Sequence, residues 1–220
     1  MSSKMYYPAF LDLDGRSCVV VGGGKVALRK VEMLRESGAR IKVVAPELCE
    51  ELEAMNSDDL IEAEIRSFVP SDLDGAAVAI AATDDRATNE RVAAEARSKS
   101  VLVNVVDFPT LCDFIVPSYL RRGDITIAVS TSGSSPALAK KMRIALEAEF
   151  GKEYADLAEI VGQVRAQLKR EGVRVSAGEW DLALDIGPLL GLLRKGEHDK
   201  AKRALIKTLN QDRKATQHAS

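Results

Sequence analysis

The chain has 220 residues, 31 Lys and Arg against 33 Asp and Glu, and a formal net charge of −2 at pH 7, which excludes a global electrostatic pull toward nucleic acid or membrane. With 46% hydrophobic and 29% charged residues it has the composition of an ordinary globular protein, long enough for one sizeable core or for one core and an appendage. Cys18, Cys49 and Cys112 show no CxxC spacing and read as reduced thiols of a cytoplasmic protein; MSSKMYYPAF lacks the apolar run of a signal peptide, and no stretch approaches the ~20 apolar residues of a membrane span.

Residues 17–21, SCVVV, form a short β-branched run, the pattern of a strand buried on both faces. Gly22-Gly23-Gly24-Lys25-Val26-Ala27 follows as G-x-G-x-x-A. Ala27, Val31 and Leu34 then recur at helical spacing, Gly38 stops the helix, and 41–44 supplies a second strand. Strand, glycine turn, helix and strand within roughly 30 residues is the context a dinucleotide fingerprint requires. Gly22 permits the tight turn, Gly24 lets the backbone approach a pyrophosphate, and Ala27 lets helix and strand pack closely. The helix N-terminus aims bare N–H groups at the phosphates. After the second strand the sequence reads Val44-Ala45-Pro46, so Glu47 is the nearest acid for a ribose; it could equally cap the next helix, expected over 48–55. No Arg follows to meet a 2′-phosphate, which favours NAD over NADP.

A third strand is expected over 61–68 and a central one over 76–82, which is small and apolar throughout. Thr83-Asp84-Asp85 leads into a helix ending near Ser98, where Thr83 and Asp84 suit both helix capping and a cofactor contact. A fifth strand over 101–106 carries Asn104 and closes on Asp107-Phe108-Pro109. In open α/β sheets ligands lie beyond the carboxyl ends of the strands, where Gly22, Thr83, Asp84 and Asp107 all fall. Asp107 is also good turn chemistry.

After Pro109 the rhythm changes. Residues 114–120 and 124–129 read as a hairpin turning over 121–124. The loop 130–135 is STSGSS, with Thr131, Ser132 and Ser135 among its hydroxyls, and Pro136 opens a helix expected over 137–150. Hydroxyls, a helix start, and Lys140, Lys141 and Arg143 make a site for carboxylates, or a loop before a solvated helix face. From Gly151 the chain reads helical: Leu157, Ile160, Val161, Val164 and Leu168 share one face. The apolar cluster 180–193 is interrupted by Gly187-Pro188, and 199–209 forms a short closing helix with fraying from Asp212. His198 and His218 read as surface residues, and no His or Cys cluster marks a metal site.

VVVGGGKVALRK, AIAATDD, NVVDFPTLCDFIVPS and AVSTSGSSPALAKKMR, in this order, resemble the precorrin-2 dehydrogenase family, the amino-terminal module of siroheme synthases. The resemblance covers nearly the whole chain. It implies a Rossmann-like α/β fold with a parallel sheet over 1–113, an α+β dimerisation and substrate region over 114–150, and a small helical domain over 151–220. It implies oxidation of precorrin-2 to sirohydrochlorin with NAD, followed in some members by iron insertion with ferrous iron as substrate, and a homodimer. The cofactor turn then falls on Gly22, Gly23, Gly24, Lys25 and Val26, with Lys25 and Val26 nearest the pyrophosphate. The ribose contact falls on Pro46 and Glu47, and the catalytic aspartate on Asp107. The substrate-side serine falls on Thr131, which keeps the hydroxyl and adds a methyl, so phosphoserine-type regulation does not carry over. Asn104, Thr131, Ser132, Ser135, Lys140 and Lys141 are the expected substrate residues. The methyltransferase domain of fused siroheme synthases is not in this sequence, so precorrin-2 is expected from another enzyme. Two alternatives remain open on the residues alone: an NAD-sensing module without chemistry, and a reductase of a small keto or imino acid.

Overall fold

A computed structural model describes residues 5–217, with side chains through Asn210. The chain forms two compact units, Met1–Val116 and Pro117–Ser220. The first unit alternates strands and helices: β1 Ser17–Val21, α1 Lys25–Arg35, β2 Arg40–Ala45, α2 Glu50–Ser57, β3 Glu62–Ile65, β4 Val78–Ala81, α3 Arg86–Ser98 and β5 Leu102–Val105. The five strands are parallel, in the order β3-β2-β1-β4-β5. The run of valines in β1 is continuous because both of its faces are covered. Cys18 and Val20 pack with Ala27, Val31 and Leu34 of α1, while Val19 and Val21 pack with Val92, Ala93 and Ala96 of α3. Ala27 is fully buried, so the third small residue of the glycine motif does bring α1 close to the sheet.

Several boundaries differ from those read in the sequence. The third strand is shorter than 61–68: it ends at Ile65, and Ser67 and Phe68 leave the sheet before a 3₁₀ turn at Pro70–Leu73. Asp72 fixes that departure, accepting two bonds from the Arg66 guanidinium (2.9 and 2.6 Å) and one from the Val69 amide (2.9 Å). The cap of α3 falls on Asp85, not on Thr83 or Asp84; its carboxylate accepts from the amides of Ala87 and Thr88 and from the Thr88 hydroxyl. Those bonds hold the Asp85 carboxyl below the usual carboxylate range.

Beyond β5 the chain returns along that strand. The Asp113 amide donates to the Val103 carbonyl (2.8 Å), the Val103 amide donates to the Asp113 carboxylate (3.1 Å), and buried Asn104 donates to the Phe114 carbonyl (3.0 Å). Phe114 therefore packs with the α1 face of the sheet and takes no part in the hairpin that 114–120 was expected to form.

In the second unit β6 Ser118–Arg122 pairs antiparallel with β7 Ile125–Val129. Arg122 faces Ile125, so the turn is only Gly123-Asp124 rather than 121–124, and Gly123 sits at φ +56°. α4, Pro136–Glu149, packs on the hairpin; α5 Glu153–Arg170, α6 Ala177–Ala183, α7 Ile186–Leu193 and α8 His198–Gln217 share a core around Val164, Leu190, Ala201 and Leu205. The break in the apolar cluster 180–193 comes at Leu184-Asp185; Gly187 and Pro188 lie inside the first turn of α7, where a missing N–H is tolerated. The closing helix is longer than 199–209. It continues through Gln217 rather than fraying at Asp212, because that stretch is rich in strong helix formers. His198 is exposed and meets Asp156 (3.3 Å) and the Gly196 carbonyl, contacts that raise its pKa; His218 lies outside the described residues.

Replacing Asn104 with Leu keeps the volume but removes the donor to Phe114. The unfolding free energy in urea should fall by about 1–3 kcal/mol, the cost of a lost buried hydrogen bond. Unchanged stability with lost activity would instead make Asn104 a ligand contact.

Candidate functional site

The strand order reverses between β1 and β4, and a cleft of 570 Å³ opens there beyond the strand ends. Gly22, Gly23, Gly24, Lys25 and Val26 line it after β1, Pro46 and Glu47 after β2, and Thr83 and Asp84 after β4. All nine cofactor residues expected from sequence are thus brought to one cavity. Ser67, Phe68, Asp85 and Thr88 also line it. Ser67 and Phe68 were missed because 61–68 read as uninterrupted strand, and only the turn after Ile65 swings them to the cleft.

The three glycines have different reasons to be glycine. At Gly22, with φ +130°, a Cβ would lie 2.3 Å from the Ala82 carbonyl oxygen. At Gly23 it would lie 1.8 Å from the Glu47 carbonyl oxygen. Both are therefore demanded by the protein's own backbone, at the ends of β4 and β2 respectively. Around a Cβ at Gly24 there is nothing within 4 Å. This is the one glycine of the three whose bareness serves space outside the fold.

Gly24 also caps α1 without any side-chain bond, and the first helical bond runs from the Leu28 amide to the Gly24 carbonyl (3.0 Å). The amides of Lys25, Val26 and Ala27 are left as uncapped donors at the positive end of the helix dipole. The Lys25 ammonium, at the exposed edge of the cleft, bonds both Glu51 oxygens on α2 (2.5 and 2.6 Å), which raises its pKa and lowers that of Glu51. The Thr83 hydroxyl also points inward, between the Asp85 carbonyl (3.0 Å) and the Asn89 amide oxygen (2.9 Å), and buried Asn89 donates back to the Thr83 carbonyl (2.8 Å). Thr83 thus shapes the loop, while exposed Asp84 and Glu47 are the free carboxylates on the rim.

Asp107 stands at the end of β5, on the same carboxyl edge of the sheet but outside the lining of the cleft. It is exposed and held at φ +63°. Among the described residues only Asp59, Ser100, Asp107 and Ser132 have positive φ without being glycine. Asp59 and Ser100 terminate α2 and α3, where that conformation is routine. Asp107 and Ser132 instead lie inside four-residue turns, closed by the Phe108 amide on the Val105 carbonyl and by the Ser134 amide on the Thr131 carbonyl, which impose that conformation. The Asp107 turn is locked by the Phe108 amide on Val105 O (3.3 Å) and by the buried Cys112 sulfur, within 3.4 Å of the Phe108 carbonyl. Lys30 of α1 is half-buried; burial and the neighbouring Arg29 charge push its ammonium down, while the Asp107 carboxylate acts the other way.

The expected substrate residues divide. Asn104 is buried and spent on Phe114. In the second unit the Thr131 hydroxyl accepts from the Ser135 amide and donates to the Ser135 carbonyl, both at 3.1 Å, and the Ser135 hydroxyl caps α4 on the Leu138 amide (3.2 Å). Ser132, Lys140 and Lys141 are exposed, and among the described residues their side chains meet no bonding partner. Arg122 is consumed by the carbonyls of Phe150 and Glu147 at the end of α4, and Arg143 pairs with Glu147. Among the described residues no three His, Cys, Asp or Glu gather as a metal ion would need, and no helix is long and apolar enough to cross a membrane.

Residues 9–118 match the family described as putative NAD(P)-binding, and 122–149 match the sirohaem biosynthesis protein central segment. The siroheme synthase of Thioalkalivibrio sulfidiphilus is 42% identical over 206 residues, which is 93% of this chain and 42% of that one. The siroheme synthase of Nitrosococcus oceani is 39% identical over 202 residues, 91% of this chain and 43% of that one. This chain therefore spans less than half the length of those relatives. The solved structure of SirC, a precorrin-2 dehydrogenase, superposes with a TM-score of 0.69 at 25% identity, covering 94% of this chain and all of its own.

Two substitutions separate the glycines. Gly24→Asp should fold like the parent but bind NADH at least roughly a hundredfold more weakly by titration, since a carboxylate about 4 Å from a phosphate costs ~4 kcal/mol at intermediate dielectric. Gly23→Ala should lower stability by about 1–3 kcal/mol in urea unfolding, because the Glu47 carbonyl must move.

Proposed function

The chain belongs to the putative NAD(P)-binding family, with the sirohaem central segment behind that domain, and on this premise we propose that it is an NAD-dependent precorrin-2 dehydrogenase of siroheme biosynthesis, acting in the cytoplasm. The observation that supports this most is the cleft at the β1/β4 switch point: uncapped α1 amides, a Gly24 with open space beyond it, and a carboxylate, Glu47, at the end of β2. These fit the pyrophosphate and the ribose of a dinucleotide. Glu47 accepts from ribose hydroxyls and repels a 2′-phosphate, while Lys25, the single cation lining the cleft among the described residues, is paired with Glu51, so the site suits NAD better than NADP.

A bound nicotinamide supplies the hydride acceptor. The chain itself must take the proton that the substrate loses with the hydride. Asp107 is the acid suited to it: an exposed carboxylate at a strand end, on a turn locked by backbone bonds, so its place is set by the sheet. Lys140 and Lys141 offer unspent cations to the carboxylates of the tetrapyrrole, with the Ser132 hydroxyl on the loop before them. The Thr131 and Ser135 hydroxyls serve by holding that loop. A pure sensor has no use for this second, cationic site.

Mixing the chain with NAD and precorrin-2 should yield NADH and the absorption spectrum of sirohydrochlorin. NAD binding without turnover would favour the sensing module instead. Asp107→Asn should leave NADH affinity unchanged and cut turnover by about 10²–10⁴-fold, the usual worth of a general base; wild-type turnover removes Asp107 from the mechanism.

We also propose a homodimer. A lone two-stranded sheet is marginal in water, and β6–β7 with α4 leaves Leu138, Met142 and Ile144 about half exposed (51, 46 and 49%). Light scattering at micromolar concentration should give twice the mass of the chain, and Met142→Glu should shift it toward the monomer.

A further inference from the structure

A second cavity, of 410 Å³, lies wholly within the helical part of the second unit, where α5 turns into α6. Arg165 and Lys169, one helical turn apart on α5, form one wall. Arg174 enters from the connecting turn and Trp180 from α6, with Leu168 and Val173 as the apolar part of the lining. No Asp or Glu lines it. Its frame is fixed at both ends. At the end of α5 the Gly172 amide bonds the Lys169 carbonyl (3.2 Å) and the Val173 amide bonds the Leu168 carbonyl (2.9 Å), with Gly172 at φ +70°. At the start of α6 the Ser176 amide and hydroxyl donate to Glu179 (2.7 and 2.8 Å), which sets the first turn that carries Trp180.

Three cations share this cavity, and among the described residues none of the three meets a carboxylate. Arg165 instead lies over the Trp180 ring, 5.9 Å from its centroid. The dipole at the end of α5 accounts for Lys169 in its last turn. It does not account for Arg165, more than a turn earlier, nor for Arg174, beyond the helix. All three cations are exposed, so water and salt screen their mutual repulsion; with no acid lining the hollow they form a positive patch that an anion can join. The half-buried indole and the aliphatic lining add a flat apolar contact.

We propose that this cavity binds a planar organic anion with two or more carboxylates, its flat face against the Arg165–Trp180 pair and its carboxylates on Lys169 and Arg174. The volume is within the range of small-molecule sites. The chemistry is shared by two sources, a tetrapyrrole and a smaller aromatic polycarboxylate, and the proposal stands whether or not the dehydrogenase reading does.

Trp180 is the chain's single tryptophan, so its emission reports on the cavity without a label. Trimesate added to the full chain should change that emission saturably, and added salt should weaken the response. In Lys169→Gln/Arg174→Gln the affinity should fall roughly tenfold or more, with circular dichroism and NADH affinity unchanged. Arg174→Gln alone, at an exposed turn position, gives the same reading if the double variant unfolds. Inorganic phosphate, an anion without a flat face, should give no saturable response over the same range. Displacement of trimesate by uroporphyrin at lower concentration assigns the site to tetrapyrroles; persistence of trimesate assigns it to a smaller effector. No saturable response to trimesate, an equal response to phosphate, or unchanged affinity in the variants would overturn the proposal.

Discussion

The backbone carbonyls of Ala82 and Glu47 lie where side chains at positions 22 and 23 would have to be. That close approach ties the turn after β1 to the ends of both neighbouring strands. The Gly22 amide bonds the Val44 carbonyl (3.0 Å), and the Cys49 amide bonds the Gly23 carbonyl (2.7 Å), so α2 starts from the same knot. With the turn pinned on two sides, α1 begins at a fixed point, and its uncapped amides face the cleft rather than each other. Bulk at either glycine would spread the strand ends and close or displace the site. Gly24 stands outside this constraint, which is why its bareness carries meaning for a ligand.

The second theme is how charge is spent. A chain of near-zero net charge still gathers cations where an anion could use them. Lys25 holds α1 to α2 through Glu51, Arg66 holds a 3₁₀ turn through Asp72, and Arg122 closes the end of α4. Such engaged cations belong to the architecture, and exposed pairs among them add little stability. Among the described residues, Lys140, Lys141 and the three cations around the α5–α6 cavity are engaged with no acid. Counting Lys and Arg in the sequence does not separate these groups; only their partners do.

Hydroxyls divide in the same way. The serine- and threonine-rich stretch 130–135 looks like a row of ligand donors, yet Thr131 and Ser135 bind each other's backbone and the start of α4. Ser132, at φ +52° in the turn that the Ser134 amide closes on the Thr131 carbonyl, gives its amide to the Ser130 hydroxyl (3.1 Å) and keeps its own hydroxyl exposed. Asp107 is presented similarly at the end of β5. Strain of this kind persists only where surrounding bonds impose it. Around Asp107 those bonds come from Val105, Phe108 and buried Cys112, a thiol whose role is to brace the turn.

The sequence by itself determined the periodic features. A valine run requires two covered faces, the 3.6-residue spacing of Ala27, Val31 and Leu34 requires a helix on one of them, and G-x-G-x-x-A between the two requires a tight turn with a bare helix start. These are local constraints, and so the parallel sheet, the turn and most of the cleft's lining were legible before any coordinates. What only the tertiary structure decided is where side chains are spent. Asn104 is consumed by Phe114, ten residues on, and Thr83 is turned inward by Asn89. Ser67 and Phe68 reach the cleft because Asp72 bends the chain out of β3. The α5–α6 cavity exists because a glycine turn and a serine cap set Arg174 and Trp180 beside α5. Each of these depends on a partner brought near by folding. Spacing along the chain records which face a residue occupies, and it does not record which neighbour will satisfy it.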